Sequence, residues 1–256
     1  MMAQIQEIMG VGQDALTLFG LLFLRIGAFV SVLPALGDQM IPARVKLAIA
    51  LVVVVSVFPA VTLPSIEPGA PLVFLFFSET LVGFMFGITL RFLSHALLVA
   101  GAIAAQSTSL SQLLGGPSID PQPALSNIIY MAGLVLIILA DLHIKIIWAL
   151  VELYGFLPIG VFLVPLDVMT WGVDSVASIF GLGFVLAAPF VLVSLIYNVA
   201  MGIINKAMPQ LMVAFVGAPA ITAGGMILLL ISLPILLPIW LQRFDAVLAA
   251  PLQALP

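Results

Sequence analysis

The chain has no cysteine and very little charge. Its 256 residues include seven Lys and Arg, eleven Asp and Glu, and two His, so 7% of positions are charged and the net charge is −4. Without cysteine there is no disulfide framework, no thiolate metal site and no Cys nucleophile. An ordinary soluble domain carries roughly 25% Asp, Glu, Lys and Arg, and eighteen such side chains cannot clothe a 27 kDa globule in water. A soluble enzyme, a disordered chain and a nucleic-acid binder are disfavoured together. The bases stand apart, at Arg25, Arg44, Lys46, Arg91, Lys145, Lys206 and Arg243. They form no basic tract for nucleic acid or an anionic lipid surface. The N-terminal MMAQIQEIMGVGQDA has no Lys or Arg, so it lacks the positive region of a secretory signal and is expected to be retained.

What the chain does have is apolar surface. Hydrophobic residues make up 64% of it and the mean hydropathy is +1.35. Lipid, other protein, or both must therefore serve as its solvent. A membrane-spanning helix needs about 20 mostly apolar residues, and five to six such runs are present: 15–37, 47–63, 72–105, 124–140, 175–204 and 211–241. They are apolar on all sides, which excludes the period-2 alternation of a membrane barrel. The fold class is an all-α integral membrane protein. No charged or Ser/Gly-rich linker divides the chain, so residues 1–256 read as a single membrane domain.

Prolines mark two loops, at 59–71 and 117–123, but Pro189, Pro209, Pro219, Pro234 and Pro238 fall inside apolar runs. Each removes an N–H and clashes with the preceding turn, so the last two helices are expected to be kinked or broken. Irregular backbone at membrane depth survives only where protein or a wet cavity surrounds it. Kinked or broken helices within an assembly follow from this.

No catalytic signature occurs: the chain has no H-E-x-x-H, no G-x-S-x-G and no Walker-type loop. His95 and His143 lie far apart in sequence with few carboxylates nearby, which argues against a metal site. Asp141, His143 and Lys145 resemble a proton relay, but residues i and i+2 of a helix point to different faces. The cluster reads instead as the end of a span. Arg25 and Glu79 are different, because charges inside apolar runs are costly in lipid. Either they pair across packed helices, or Arg25 snorkels or meets another subunit. Glu79, Gly83 and Gly87 recur at spacing four, and the glycines permit close helix approach.

The oddest segment is 100–123, AGAIAAQSTSLSQLLGGPSIDPQP. Tiny residues give way to Gln106, Ser107, Thr108, Ser109, Leu110, Ser111 and Gln112, then Leu113, Leu114, Gly115, Gly116 and Pro117. Uncharged hydroxyls and amides can line a wet path without fixing an ion, and Gly-Gly-Pro allows a sharp turn. Two readings stand: a packed helix end followed by a surface loop, or a loop that lines or blocks a conduit.

Three patterns in fixed order resemble the FliR/SctT family of type III export-gate proteins. The first is Arg25-x8-Pro34-x7-Pro42, followed by Ala43-Arg44-Val45-Lys46-Leu47. The second is Glu79-x3-Gly83-x3-Gly87, with Ala100-Gly101 following and Asp120-Pro121 closing the polar loop. The third is Asn205-Lys206-Ala207-Met208-Pro209-Gln210-x4-Phe215-x-Gly217-x-Pro219. His143 and the turn Leu157-Pro158-Ile159-Gly160 fall at similar places, and the likeness runs from about 15 to 240.

The resemblance implies a non-enzymatic, cofactor-free subunit of the flagellar protein export gate in the bacterial inner membrane, within the flagellar basal body. Its implied partners are FliP and FliQ in a hetero-oligomer, FlhB, membrane lipid, and unfolded flagellar proteins as substrates. It also implies that the fold consists of bent and broken helical hairpins, that the loop 106–123 obstructs the channel, and that Arg25, Glu79 and Lys206 hold packing or subunit interfaces. The rival from the residues alone is a proton-coupled secondary transporter of a small solute, in which Glu79 and the Asp141/His143 region titrate.

Overall fold

The computed structural model describes residues 2–38, 41–62, 72–108, 124–161, 163–208 and 213–249. All regular structure among them is helical: α1 (Met2–Val32), α2 (Ala43–Val57), α3 (Leu72–Thr108), α4 (Ala124–Leu139), α5 (Leu142–Phe156), α6 (Pro165–Ala207) and α7 (Val213–Ala249), with a 3-10 turn at Phe58–Ala60. Five helices, or portions of them, are long and apolar enough to cross a membrane, and the α4–α5 pair makes a sixth if taken as one bent span. Each residue adds about 1.5 Å to a helix, so α3 and α6 exceed by far the ~30 Å hydrocarbon thickness.

The helices differ from the sequence expectation in three places. The last two apolar runs, expected to be kinked or broken, are not broken at the described prolines. Helix α6 continues through Pro189, and α7 through Pro219, Pro234 and Pro238. A proline takes out one N–H and disturbs the carbonyl four residues earlier. In a long apolar helix the bonds on either side hold, because no water competes for them. Pro209 lies outside the described residues.

The break falls instead between α4 and α5, where Asp141 adopts left-handed φ 58°. Asp is among the few non-glycine residues that enter this region readily. Beyond it, 142–156 is a helix, in a stretch outside the six apolar runs of the sequence. Leu142, Ile146, Ala149, Leu150, Leu153 and Tyr154 form its buried face, a helical period that the neighbouring charges obscure.

Third, α6 begins ten residues before the apolar run at 175. Pro165 suits a first helical position. Asp167 in the first turn and Lys206 in the last have the signs that the helix dipole favours.

The chain forms two compact units. The first comprises residues up to Phe92, Ile138–Ser175 and the chain from Phe244; the second comprises Leu93–Ile137 and Val176–Arg243. Neither unit is one stretch of sequence, because α3, α4, α6 and α7 each contribute to both. In the first, Leu21, Leu22, Ile26, Phe29 and Leu90 are fully buried, and Phe29 stacks on Phe86 at 5.0 Å between ring centroids. In the second, Trp240, Phe190, Ala187 and Leu97 form the centre. Outside these cores, much of α6 and α7 presents large apolar side chains, among them Leu192, Leu195, Ile196, Leu230 and Ile231. A surface so apolar requires lipid or protein against it.

Candidate functional site

A fully buried pair of opposite charges lies in the first unit. Glu79, Gly83 and Gly87 occupy one face of α3, at i, i+4 and i+8. A Cβ on Gly83 would strike the Arg25 carbonyl, and one on Gly87 would strike Phe29 and Val32. The two glycines therefore bring the backbones of α1 and α3 into contact. That approach delivers the Arg25 guanidinium to the Glu79 carboxylate.

Both side chains are buried, with Arg25 at 1% and Glu79 at 0% exposure. Arg25 Nη2 donates to Glu79 Oε1 at 2.9 Å, and Nε lies 2.7 Å from Oε2 as an ion-pair contact. The remaining valences reach the turn after α5. Arg25 Nη1 donates to the Leu157 carbonyl at 2.8 Å, and the Gly160 N–H donates to Glu79 Oε1 at 3.1 Å. Gly160 has φ +84°, which a side chain tolerates poorly. The Arg25 Cζ also sits 4.1 Å above the centroid of the Tyr154 ring. Cation, anion, aromatic face and turn form one closed cluster. The Tyr154 hydroxyl is buried without a hydrogen-bond partner among the described residues.

A second arrangement lies in the other unit, at the end of α3. Gln106, Ser107 and Thr108 form its last turn, where carbonyls lack intrahelical donors. Ser194 of α6 supplies one, its Oγ donating to the Ser107 carbonyl at 2.6 Å. Asn198 Nδ2 donates to the same Ser194 Oγ at 3.2 Å. That bond leaves the hydroxyl proton to point at Ser107. Thr108 Oγ1 donates back to the Ala104 carbonyl at 3.0 Å. The rest of the expected conduit loop, Ser109, Leu110, Ser111, Gln112, Leu113, Leu114, Gly115, Gly116 and Pro117, lies outside the described residues, as does Asp120-Pro121.

The third pattern is partly described. Asn205 and Lys206 are exposed at the end of α6. Gly217 of α7 is buried, and its carbonyl accepts the Tyr197 hydroxyl at 2.5 Å. A Cβ there would collide with Met201 and with the Tyr197 oxygen, so the glycine allows the bond. Phe215 and Pro219 lie in α7, while Pro209 and Gln210 fall outside the described residues. In the first pattern, Pro34 is buried just past α1 and Pro42 caps α2. Lys46 Nζ donates to the Gly37 carbonyl at 2.8 Å and ties that turn down.

The relay-like trio comes apart. Asp141 and His143 are exposed, and Lys145 pairs with Asp245 of α7 at 2.7 Å. Among the described residues, no cluster of three or more His, Asp or Glu side chains is placed to hold a metal ion.

Sequence reasoning missed Tyr154, Ser194, Tyr197 and Asn198. The i, i+3, i+4 recurrence of Ser194, Tyr197 and Asn198 within an uncharged apolar run was the available signal, since it sets three polar groups on one helix face. Tyr154 shares the buried face of α5 and had no polar pattern to mark it.

The family model for bacterial export proteins, family 1, matches residues 16–247. The chain belongs to this export family. It is 34% identical over 235 residues to the flagellar biosynthetic protein FliR of Caulobacter vibrioides, covering 89% of this chain and 93% of that protein. The FliR of Aquifex aeolicus is 30% identical over 221 residues, with 84% of each chain covered. The FliR of Escherichia coli is 28% identical over 235 residues, covering 88% of this chain and 87% of that protein. Arg25, Glu79, Ser194 and the segment 205–219 all fall within the family match.

Proposed function

We propose that this chain is a subunit of the flagellar protein export apparatus and forms part of the channel that passes unfolded flagellar proteins across the bacterial inner membrane. The family match over 16–247 carries this reading, and the relatives named flagellar biosynthetic protein FliR support it. The multi-pass apolar helices suit such a place. The chain acts as one domain and performs no covalent chemistry. It assembles with FliP and FliQ, meets FlhB, and binds no cofactor, metal or nucleic acid. Its apolar outer helices face lipid and sister subunits.

Within that role the segment 106–123 closes the resting channel, and Gly115 and Gly116 let it move. Its root is held where Ser194 caps the Ser107 carbonyl. The segment Asn205–Pro219, with Arg25 and Glu79, holds packing or subunit contacts. Export is driven by energy supplied from outside this chain.

Two measurements test the reading. Purification of the full chain from its membrane should yield a large hetero-oligomer containing FliP and FliQ; a lone chain or homodimer that moves a small solute in liposomes would overturn it in favour of a carrier. Deletion of residues 110–116 in cells making the whole gate should cause leakage of sodium or small molecules. Intact assembly without a leak would remove the closing role of the loop.

A further inference from the structure

The Arg25–Glu79 cluster is directional in a way that neutralising a charge does not require. Charge balance needs only the opposite ion, and the hydrogen bonds that a buried pair further requires could come from any polar group nearby. Here each also takes one backbone partner from the same turn, and each partner has the matching polarity. The cation faces the Leu157 carbonyl at 2.8 Å, and the anion faces the Gly160 N–H at 3.1 Å. Leu157 already ends α5 by donating its N–H to the Leu153 carbonyl at 2.8 Å, and the Val161 N–H closes the turn onto Pro158 at 3.3 Å. The Leu157 carbonyl and Gly160 N–H receive no partner from these two bonds. Gly160 at φ +84° takes a left-handed conformation open to glycine, and in that conformation its amide meets Glu79.

We infer that Arg25 and Glu79 are positioning residues for the turn 157–160, each holding one end of its peptide dipoles and so setting where α5 stops and the chain departs toward α6. Glu79 thus has a second duty besides balancing Arg25: its Oε1 is the acceptor for Gly160. The Tyr154 ring under the guanidinium fixes the height of the fork relative to α5. The inference concerns the chain's own architecture and does not depend on what passes through the assembly.

Two comparisons separate a positioning role from simple charge balance, both read by amide hydrogen exchange of the 157–161 segment in the detergent-purified full chain within its assembly. Glu79→Gln and Glu79→Leu leave Arg25 equally without a counter-charge, but only Gln keeps an acceptor oxygen. Exchange should be roughly tenfold faster in Leu than in Gln, because a buried N–H without an acceptor is costly. Equal exchange in the two would overturn the inference. The charge swap Arg25→Glu with Glu79→Arg restores an ion pair but sets a carboxylate against the Leu157 carbonyl and a guanidinium against the Gly160 N–H. The swapped chain should lose protection of the turn and fail to restore flagellar motility. Wild-type protection in the swap would reduce the cluster to charge balance and refute the positioning role. Should the swapped chain not accumulate, the Gln–Leu comparison decides alone.

Discussion

The two units hold their helices by different chemistry. The first uses an ion pair whose charges are both buried, Arg25 with Glu79. The second uses neutral donors aimed at backbone carbonyls: Trp240 Nε1 on Leu93 at 2.8 Å, Ser126 Oγ on Leu98 at 2.8 Å, Ser194 on Ser107 and Tyr197 on Gly217. The distinction lies in what remains when one partner goes. A mid-helix carbonyl such as that of Leu93 or Leu98 already accepts its intrahelical N–H, and the outside donor takes the spare lone pair. Removing that donor leaves nothing unsatisfied. Removing Arg25 leaves a bare carboxylate in an apolar core. The first unit is therefore brittle toward single substitutions, and the second is tolerant except at the end of α3, where the Ser107 carbonyl depends on Ser194.

This contrast can be broken by measurement, taking the thermal unfolding midpoint of the detergent-purified chain as the readout. Arg25→Ala should have the largest effect, since cutting a buried pair costs about 3–5 kcal/mol; a chain that no longer accumulates is the expected extreme. Ser194→Ala should come next, at about 1–3 kcal/mol, because the Ser107 carbonyl at the end of α3 is left without a donor. Ser126→Ala should cost far less, about 0.6 kcal/mol, as interhelical hydrogen bonds in membranes do on average. A loss for Ser126→Ala as large as for Arg25→Ala would erase the distinction between the units. Smallest of all should be Lys145→Ala. Its bridge to Asp245 is exposed, at 36% and 39% for the two side chains, so a loss under about 1 kcal/mol that disappears at high salt is expected.

Parts of this arrangement are legible in the sequence and parts are not. The cost of charge in an apolar run singles out Arg25 and Glu79, and the spacing of Glu79, Gly83 and Gly87 puts all three on one helix face. The helix α5 is hidden because Asp141, Lys145 and Glu152 interrupt hydropathy, although its buried residues keep a helical period. Prolines in α7 do not break the helix. Their local penalty is real, but it is smaller than the cost of opening a long helix where no water can pair with its backbone. Ser194 and Asn198 escape notice because a hydroxyl and an amide in an apolar helix have many possible partners, and only packing selects one.

Composition alone thus determined the solvent, the helical class and the positions where charge had to be compensated, because transfer free energies act residue by residue. Ordered motifs carried the family. Tertiary structure decided which atoms compensate the charges. Arg25 and Leu157 stand 132 positions apart, and the atoms that meet Arg25 and Glu79 at the turn are backbone groups. Every residue has a carbonyl and nearly every residue an N–H, so no sequence pattern can mark these two. Only the close approach of α1 to α3, and the left-handed glycine beyond α5, bring them within reach.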